Sequence, residues 1–159
     1  MTNDEQITWL ALGYQFRNHP AVLAGNEEGG RRLARGGLSL LHTIGTNHAP
    51  NRPDPRIERC IFPNSQVPAM SQVADALERR FVVEDWHNFG ADYERTLLAW
   101  LDNFDNARPS LAKDYDESFR RMWRFYLAAS AATFRARRDQ LWRIVLSPNG
   151  VSGGYRSPR

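Results

Sequence analysis

A chain of 159 residues has the length of one domain and is long enough to bury a hydrophobic core. Hydrophobic residues make up 42% of it, which excludes disorder as a description of the whole sequence. The single cysteine, Cys60, excludes an intramolecular disulfide and fits a reducing compartment. No apolar run approaches the ~20 residues of a membrane span, and the N-terminus does not have the pattern of a secretory signal. We therefore expect a cytoplasmic protein.

The basic charge is concentrated near the C-terminus. Net charge is only +3, but residues 119–143 hold seven arginines against one acid, Asp139. Such a cluster favours an anionic surface such as phospholipid headgroups, and it is equally typical of a solvated helix face. No nucleic-acid recognition motif accompanies it, so we expect no nucleic-acid partner.

Residues 1–35 form a poorly defined N-terminal segment. The short apolar stretch at residues 7–16 predicts a short helix or a frayed arm, and a Gly-rich run at residues 24–30 then breaks any periodicity. The next apolar run, residues 38–44, ends at Gly45 and is nearly continuous. Because a strand covered on both faces has this pattern, we predict an inner strand of a parallel sheet.

The rest of the chain alternates between strand and helix patterns. A proline-rich loop at residues 46–55 precedes a helix that starts near Pro68. A strand at 81–86, a helix from Ala91, a helix over 115–138 and a strand at 141–146 follow, and residues 148–159 form a flexible tail. This is α/β order, but three strands are few for an open sheet flanked by helices, so the fold looks incomplete.

Four segments closely resemble the cyclopropane-fatty-acyl-phospholipid synthases and their mycolic-acid relatives. Several separate blocks in the right order are far more specific than one short motif. They are GGLSLLHTIG (36–45), DPRIERCIFPN (54–64), FVVEDWHNFGADYERTLLAW (81–100) and FRRMWRFYLAASAATFRARRDQLWRIVLS (119–147).

The resemblance implies the C-terminal strands and helices of a truncated, Rossmann-like class I methyltransferase, at residues 36–147. In this family a Gly-rich loop and a following acidic residue bind S-adenosylmethionine. The sequence offers no equivalent, since no β-run precedes the Gly-rich stretch at 24–30. We therefore expect the S-adenosylmethionine site to be missing from this chain and assign no cofactor-binding residue.

The family's chemistry is implied to be methyl transfer to the cis double bond of a phospholipid acyl chain, with bound bicarbonate as the base. His42 matches the bicarbonate-contacting histidine, Ile44 matches a neighbour that contacts the anion through its backbone, and Tyr93 matches the active-site tyrosine. From the residues alone, His42 is better explained as a histidine satisfied in a strand-end turn, and it is the resemblance that favours the site role. Tyr93 is equally well explained as a core tyrosine.

Three polar residues near position 85 resemble an acid–base or metal set. Glu84, Asp85 and His87 have no second ligand group at suitable spacing, so we expect no metal and interpret them as structural residues at a strand end.

The function that the resemblance implies is therefore a lipid methyltransferase, incomplete in this chain. The alternative is a catalytically inactive remnant that acts, if at all, at a lipid surface or as an interaction module. Expected partners are a phospholipid with an unsaturated acyl chain, an anionic inner-leaflet surface, and either a second chain that supplies the missing half or another copy of this chain. Because the strand at 38–44 would lack a neighbour on one edge, we expect an oligomeric or poorly soluble protein.

Overall fold

The structure is a computed structural model, and it describes residues 8–11, 33, 36–49, 54–63 and 65–158. Within these ranges four strands and five helices follow one another. The strands are β1 (Thr8–Ala11), β2 (Ser39–Thr46), β3 (Val82–Asn88) and β4 (Asp139–Ser147). The helices are α1 (Pro55–Cys60), α2 (Met70–Leu77), α3 (Gly90–Asn106), α4 (Arg108–Leu111) and α5 (Glu117–Arg135). No helix in these ranges is long and apolar enough to cross a bilayer.

The strands form one mixed sheet in the order β1–β2–β4–β3. β1 runs parallel to β2, with Ala11 opposite His42 at its last pair, whereas β4 is antiparallel to both β2 and β3. The inner position predicted for β2 is confirmed, but the expectation of a purely parallel sheet is wrong. The last strand enters between β2 and β3 and runs in the opposite direction, which the order of elements in the sequence does not reveal.

β1 also corrects the prediction for the N-terminal segment. A short helix or frayed arm was expected over residues 7–16, and Thr8–Ala11 form a strand instead. The other residues of that stretch lie outside the described part of the chain. β1 pairs with β2 from Ser39 to His42, so this edge of β2 has a neighbour over half of its length. Poor solubility or oligomerisation stays a prediction.

Apolar side chains on the two faces of the sheet pack in separate clusters. On one face, Leu41 and the fully buried Trp142 and Ile144 lie against Val73 and Leu77 of α2. On the other face, α3 and α5 pack on each other and on the end of the sheet where β2 finishes. Their cluster includes Leu97, Tyr126, Leu127, Ala131 and Phe134, with Ile44 and Leu141 packed against it.

β2 alternates rather than being buried on both faces. Leu41 and Thr43 are buried, while Leu40, His42 and Ile44 are half-buried on the opposite face. Among the described residues, helices pack on that second face near Ile44. Although its apolar run is nearly continuous, β2 therefore has one well-covered face and one partly open face.

Two helix starts have an aspartate cap. Asp116 accepts a hydrogen bond from the backbone N–H of Phe119 (2.7 Å) at the start of α5, and Asp54 accepts one from Arg56 (2.8 Å) at the start of α1. Both follow the preference for Asp at the position before a helix. α1 and the single turn α4 were not predicted, because both are too short for periodicity to reveal them.

A polar network joins β3, β4 and the adjacent helix ends. Asn88 donates to Oε1 of Gln140 (2.7 Å) and accepts from the backbone N–H of Gly90 (2.9 Å). Gln140 is 1% exposed and donates to the carbonyl of Arg137 (2.7 Å), just beyond the end of α5. The network fixes the start of α3 and the end of α5 at the same end of the sheet.

Replacing Gln140 with alanine should lower the free energy of unfolding by about 1–3 kcal/mol, because Asn88 and the carbonyl of Arg137 each lose a buried partner. The urea midpoint measured by circular dichroism tests this. Asn106→Ala is the control, since Asn106 is exposed and its side chain donates to Asp102 in its own helix (3.3 Å). Equal midpoints for the two variants would contradict the prediction.

The chain after β4 is held by Glu84. Its Oε1 accepts hydrogen bonds from the hydroxyl of Ser147 (2.5 Å) and the backbone N–H of Val151 (2.9 Å). These two hydrogen bonds give Glu84 a structural role, as predicted from the sequence. Residues 148–158 are described and begin with this attachment; the flexibility assigned to 148–159 stays a prediction.

Candidate functional site

His42 lies in the middle of β2, on the partly open face of the sheet. Its Nε2 is buried and has no hydrogen-bond partner among the described residues. The residue directly opposite in β4 is Arg143, and the one opposite Arg143 in β3 is His87, so the three side chains form a row across adjacent strands. An unpaired buried nitrogen costs free energy, which a bound polar ligand would recover.

Two residues further along β2, Ile44 packs against the cluster of α3 and α5 that contains Tyr93. Two backbone hydrogen bonds connect this part of the sheet to Tyr93. Leu141, the cross-strand partner of Ile44, accepts a hydrogen bond from the backbone N–H of Phe89 (2.7 Å). Phe89 accepts one from Tyr93 (3.0 Å) in the first turn of α3. The start of α3 is therefore tied to the strand beside the one that carries His42 and Ile44.

Aromatic rings fix the side chain of Tyr93. Its ring makes edge contacts with Phe134 of α5 (centroids 5.0 Å apart) and with Trp100 (6.0 Å). Burial raises the pKa of the Tyr93 phenol, so at neutral pH it is a hydrogen-bond donor. Its hydroxyl has no hydrogen-bond partner in the described part of the chain. The inward position expected of Tyr93 is thus observed, and its active-site role stays a prediction.

Burial lowers the pKa of His42 below its ordinary value of about 6.5, and the neighbouring guanidinium of Arg143 lowers it further. At neutral pH the imidazole is therefore uncharged. Depending on its tautomer, Nε2 then donates to a ligand oxygen or accepts from a ligand hydroxyl.

The His42 shift predicts a pH dependence of stability. A depressed pKa means that the unfolded chain binds more protons, so stability is full above about pH 6.5 and decreases as the pH falls toward the folded-state pKa. Urea unfolding at pH 5 and pH 7 should show this difference, and His42→Asn should reduce it. An NMR titration of the ring protons should place the His42 midpoint below the ordinary value of about 6.5, and Arg143→Gln should move this midpoint upward. An unchanged midpoint in Arg143→Gln would contradict this explanation.

From the sequence, Arg143 was interpreted only as one member of the basic cluster at residues 119–143. Its guanidinium lies over the ring of Phe89 (4.6 Å to the centroid), and His87 stacks on the same ring (centroids 3.9 Å apart). These groups border a groove of about 420 Å³ along the open face, with Leu40 and Val145 among its apolar walls. The alternation of β4 could have indicated that Arg143 faces this side, but not that His42 lies opposite it.

The other polar candidates near this face do not form a metal site. Glu84 is engaged with Ser147 and Val151, Asp85 and His87 line the groove, and no group of three His, Cys, Asp or Glu side chains in the described ranges could hold a metal ion. Tyr126 was predicted as part of the inward face of α5, and the structure agrees, since the residue is buried against Phe62 and Trp123.

The arginines of α5 are partly neutralised by nearby acids. Arg120 pairs with Glu117, Arg124 pairs with Asp105 of α3, and Arg135 pairs with Glu94 of α3 (2.6 Å). Two of these pairs link α3 to α5 at the surface, where an ion pair contributes about 0–1 kcal/mol. This pairing favours the solvated helix face over a binding surface made by every arginine of the cluster.

Comparisons with known proteins agree with this geometry. Residues 26–144 match the family model for mycolic acid cyclopropane synthetase. The chain is 49% identical over 129 residues to the cyclopropane-fatty-acyl-phospholipid synthase of Escherichia coli strain K12, covering 81% of this chain and 34% of the relative. It thus spans about a third of the length of that relative.

Solved structures show the same fold. The cyclopropane synthase MmaA2 from Mycobacterium tuberculosis superposes with a TM-score of 0.75 at 19% identity, over 88% of this chain and 53% of that one. The mycolic acid cyclopropane synthase CmaA1 complexed with SAH and CTAB gives a TM-score of 0.74 at 20% identity over the same shares. The predicted fold class, part of a Rossmann-like class I methyltransferase, is confirmed.

Proposed function

Because the chain belongs to the mycolic acid cyclopropane synthetase family, we propose that it is the C-terminal part of a cyclopropane-fatty-acyl-phospholipid synthase. Such an enzyme transfers a methyl group from S-adenosylmethionine to the cis double bond of a phospholipid acyl chain. In this proposal the chain supplies the side of the active site that holds the acyl chain and the bicarbonate. The proposal covers a part of the enzyme, since the chain spans 34% of the relative from Escherichia coli.

One observation carries the proposal. Nε2 of His42 is buried and unpaired at the position that matches the family's bicarbonate-contacting histidine. A histidine satisfied within a turn, the simpler explanation, would have a partner for this atom. The lowered pKa of His42 fits a neutral imidazole that shares a proton with an anion oxygen.

Bound bicarbonate would supply the base that removes a proton from the transferred methyl group. Within this chain, His42 and Tyr93 would hold the anion, with Ile44 contributing backbone groups. The Tyr93 hydroxyl is a protonated donor, which suits an anion oxygen. Its ring face would stabilise positive charge that develops on the acyl chain, by about 0.5–2 kcal/mol.

S-adenosylmethionine itself does not fit the described residues. A cofactor loop needs several glycines between a strand and a helix start, and no connection in the described ranges has them. We therefore assign no cofactor-binding residue and derive no step through the cofactor. The proposed site therefore comprises only the residues that would hold the acyl chain and the bicarbonate. Binding of S-adenosylmethionine requires residues outside the described ranges or a second chain.

The open groove supports a requirement for a further polypeptide segment, from residues of this chain outside the described ranges, from another chain or from another copy of this one. Open α/β sheets are normally covered on both faces. Here Leu40, Val145 and Phe89 border a groove on the less covered face. The substrate also implies peripheral contact with an anionic bilayer, to which arginines without an ion pair among the described residues, such as Arg121, would contribute about 1 kcal/mol each.

A binding experiment and a transfer experiment test the proposal. Equilibrium dialysis of the purified chain against labelled S-adenosylmethionine measures cofactor binding, and incubation with vesicles of a cis-monounsaturated phospholipid measures transfer of labelled methyl to lipid. Vesicles of the fully saturated phospholipid are the control. Saturable binding with label in the unsaturated lipid alone would show that the chain is active by itself.

Absence of cofactor binding would leave the lipid side of the proposal to be tested separately. Titration with ¹³C-bicarbonate, followed by NMR, should then show saturable binding that His42→Ala weakens. A chain that binds neither ligand would favour the alternative, an inactive remnant acting as a lipid-surface or interaction module.

A further inference from the structure

A pocket of about 240 Å³ lies where the end of α3, the turn α4 and the start of α5 meet, and it is called the helix-end pocket below. Its walls carry aromatic rings and charges of both signs. We propose that the helix-end pocket binds a zwitterionic phospholipid headgroup, with Arg108 on the phosphate and the rings of Tyr115 and Phe119 beside the ammonium group. This inference rests on the function proposed above and names the headgroup class of its lipid.

The acidic side chains that line the helix-end pocket all have a partner in the structure. These contacts are Glu117 with Arg120, Asp105 with Arg124, and Asp116 with the backbone N–H of Phe119. Arg108 differs, because its guanidinium makes no ion pair within the described part of the chain. It is exposed and borders the pocket, so its donors are available to a ligand. A guanidinium presents paired N–H donors that match two oxygens of a phosphate.

The balance of charge distinguishes between kinds of phosphate ligand. Three carboxylates line the helix-end pocket, and three guanidinium groups, those of Arg108, Arg120 and the nearby Arg124, offset them. A ligand that carried negative charge alone would gain the contact with Arg108 but would also lie close to the carboxylates. A ligand with an ammonium group beside its phosphate matches both signs. The pocket therefore favours a zwitterionic headgroup over an anionic one.

Aromatic rings provide a surface for the ammonium group. Tyr115 stacks on Phe119 (centroids 4.4 Å apart), and Phe104 makes an edge contact with Phe119 (6.5 Å). All three rings border the helix-end pocket. Tyr115 is 48% exposed in spite of this stacking, so much of its ring remains accessible to a ligand. Ring faces attract ammonium groups, and the attraction grows as water is excluded.

The distance from the helix-end pocket to Tyr93 suits a phospholipid. Phe104 and Tyr93 are eleven residues apart on α3, which at 1.5 Å per residue is about 16 Å along the helix. The acyl chains of one leaflet span about 15 Å, half of a bilayer's hydrocarbon core. Trp100 lies between the two ends, 47% exposed and in contact with the ring of Tyr93 (6.0 Å). An acyl chain can therefore run from the pocket past Trp100 to Tyr93.

NMR titration of the ¹⁵N-labelled chain tests the inference. The probes are dihexanoyl phosphatidylethanolamine and dihexanoyl phosphatidylglycerol, both kept below their micelle concentrations, and inorganic phosphate. The two lipids share their acyl chains and phosphodiester, but phosphatidylethanolamine alone has an ammonium group. The Nε–Hε signal of Arg108 is assigned by its loss in Arg108→Gln. We expect this signal to shift saturably, with phosphatidylethanolamine bound at least about 3-fold more tightly than either other probe.

Three results would overturn the inference. Equal affinity for inorganic phosphate would make the helix-end pocket a general anion site, and equal affinity for phosphatidylglycerol would show that the ammonium group is not recognised. An Arg108 signal that does not move would exclude headgroup binding there. If the chain still bound bicarbonate through His42, the proposed function would stand without this site. Loss of both kinds of binding would contradict the two proposals together.

Arginine variants separate the helix-end pocket from general charge. We expect Arg108→Gln to weaken binding of phosphatidylethanolamine about 10-fold, measured from the ³¹P signal of the lipid. Its urea midpoint should stay unchanged, because the exposed guanidinium makes no ion pair in the described ranges. Arg95→Gln is the control, since Arg95 does not border the pocket and its side chain is 86% exposed. Equal affinities for the two variants would overturn the inference.

Tyrosine variants test the aromatic surface. Tyr115→Leu removes the ring and should weaken binding of phosphatidylethanolamine about 2- to 5-fold, with a smaller effect on phosphatidylglycerol. Tyr115→Phe keeps the ring and should bind both lipids as the unmodified chain does. An equal loss for both lipids in Tyr115→Leu would contradict the role of the ring in recognising the ammonium group.

Discussion

Replacing Gly45 with alanine is expected to destabilise the chain strongly. Gly45 is buried near the end of β2, and a Cβ there would lie 2.0 Å from Cζ3 of Trp142, far inside van der Waals contact. Trp142 is 0% exposed and cannot move aside without disturbing the cluster against α2. Overpacking of this kind costs about 1–3 kcal/mol and sometimes more. Urea unfolding followed by circular dichroism measures the loss.

Two companion variants identify the cause of that loss. Gly36→Ala adds a methyl where φ is +78° and nothing lies within 4 Å, so it should cost only about 1 kcal/mol of backbone strain. Trp142→Phe removes the ring atoms that the new Cβ meets, so Gly45→Ala should cost at least about 1 kcal/mol less in that background. Additive effects of the two substitutions would contradict the predicted clash.

Replacing His42 with alanine is expected to weaken bicarbonate binding by about 10- to 100-fold, because a hydrogen bond to a charged group contributes about 1.5–3 kcal/mol. In any preparation that transfers methyl groups to lipid, the same variant should lower kcat by about 100-fold or more, the usual contribution of a positioned base. Isothermal titration with bicarbonate and label transfer to unsaturated vesicles measure the two effects.

His48→Ala is the matched control for His42→Ala. His48 is exposed and follows β2 by two residues, and its backbone N–H bonds to the hydroxyl of Thr46 (3.1 Å), a contact that alanine preserves. This variant should bind bicarbonate as the unmodified chain does. Equal affinities for the two alanine variants would show that the unpaired Nε2 of His42 has no part in anion binding.

Local patterns in the sequence predicted most of the long elements. The apolar stripe of residues 93–104 and the inward face of residues 119–134 correspond to α3 and α5, because one buried helix face recurs every three to four residues. The strands at 81–86 and 141–146 were found within two residues of the observed bounds of β3 and β4 at each end. Short elements such as α1 and β1 have too few residues for a pattern and were missed.

The sequence by itself also determined the family and the candidate residues His42, Ile44 and Tyr93, because blocks of matching residues can be identified without knowing which residues are in contact. The sequence contains no apolar run that approaches the ~20 residues of a membrane-spanning helix.

Only the tertiary structure decided which distant groups meet. It placed β4 between β2 and β3, and so set Arg143 opposite a histidine about a hundred residues earlier. It also brought the ring of Trp142 onto Gly45. A strand's neighbours depend on the free energy of the whole sheet, whereas a sequence pattern records only which side of a segment is apolar. Packing between segments that no local sequence pattern connects therefore decides which side chains meet at the site.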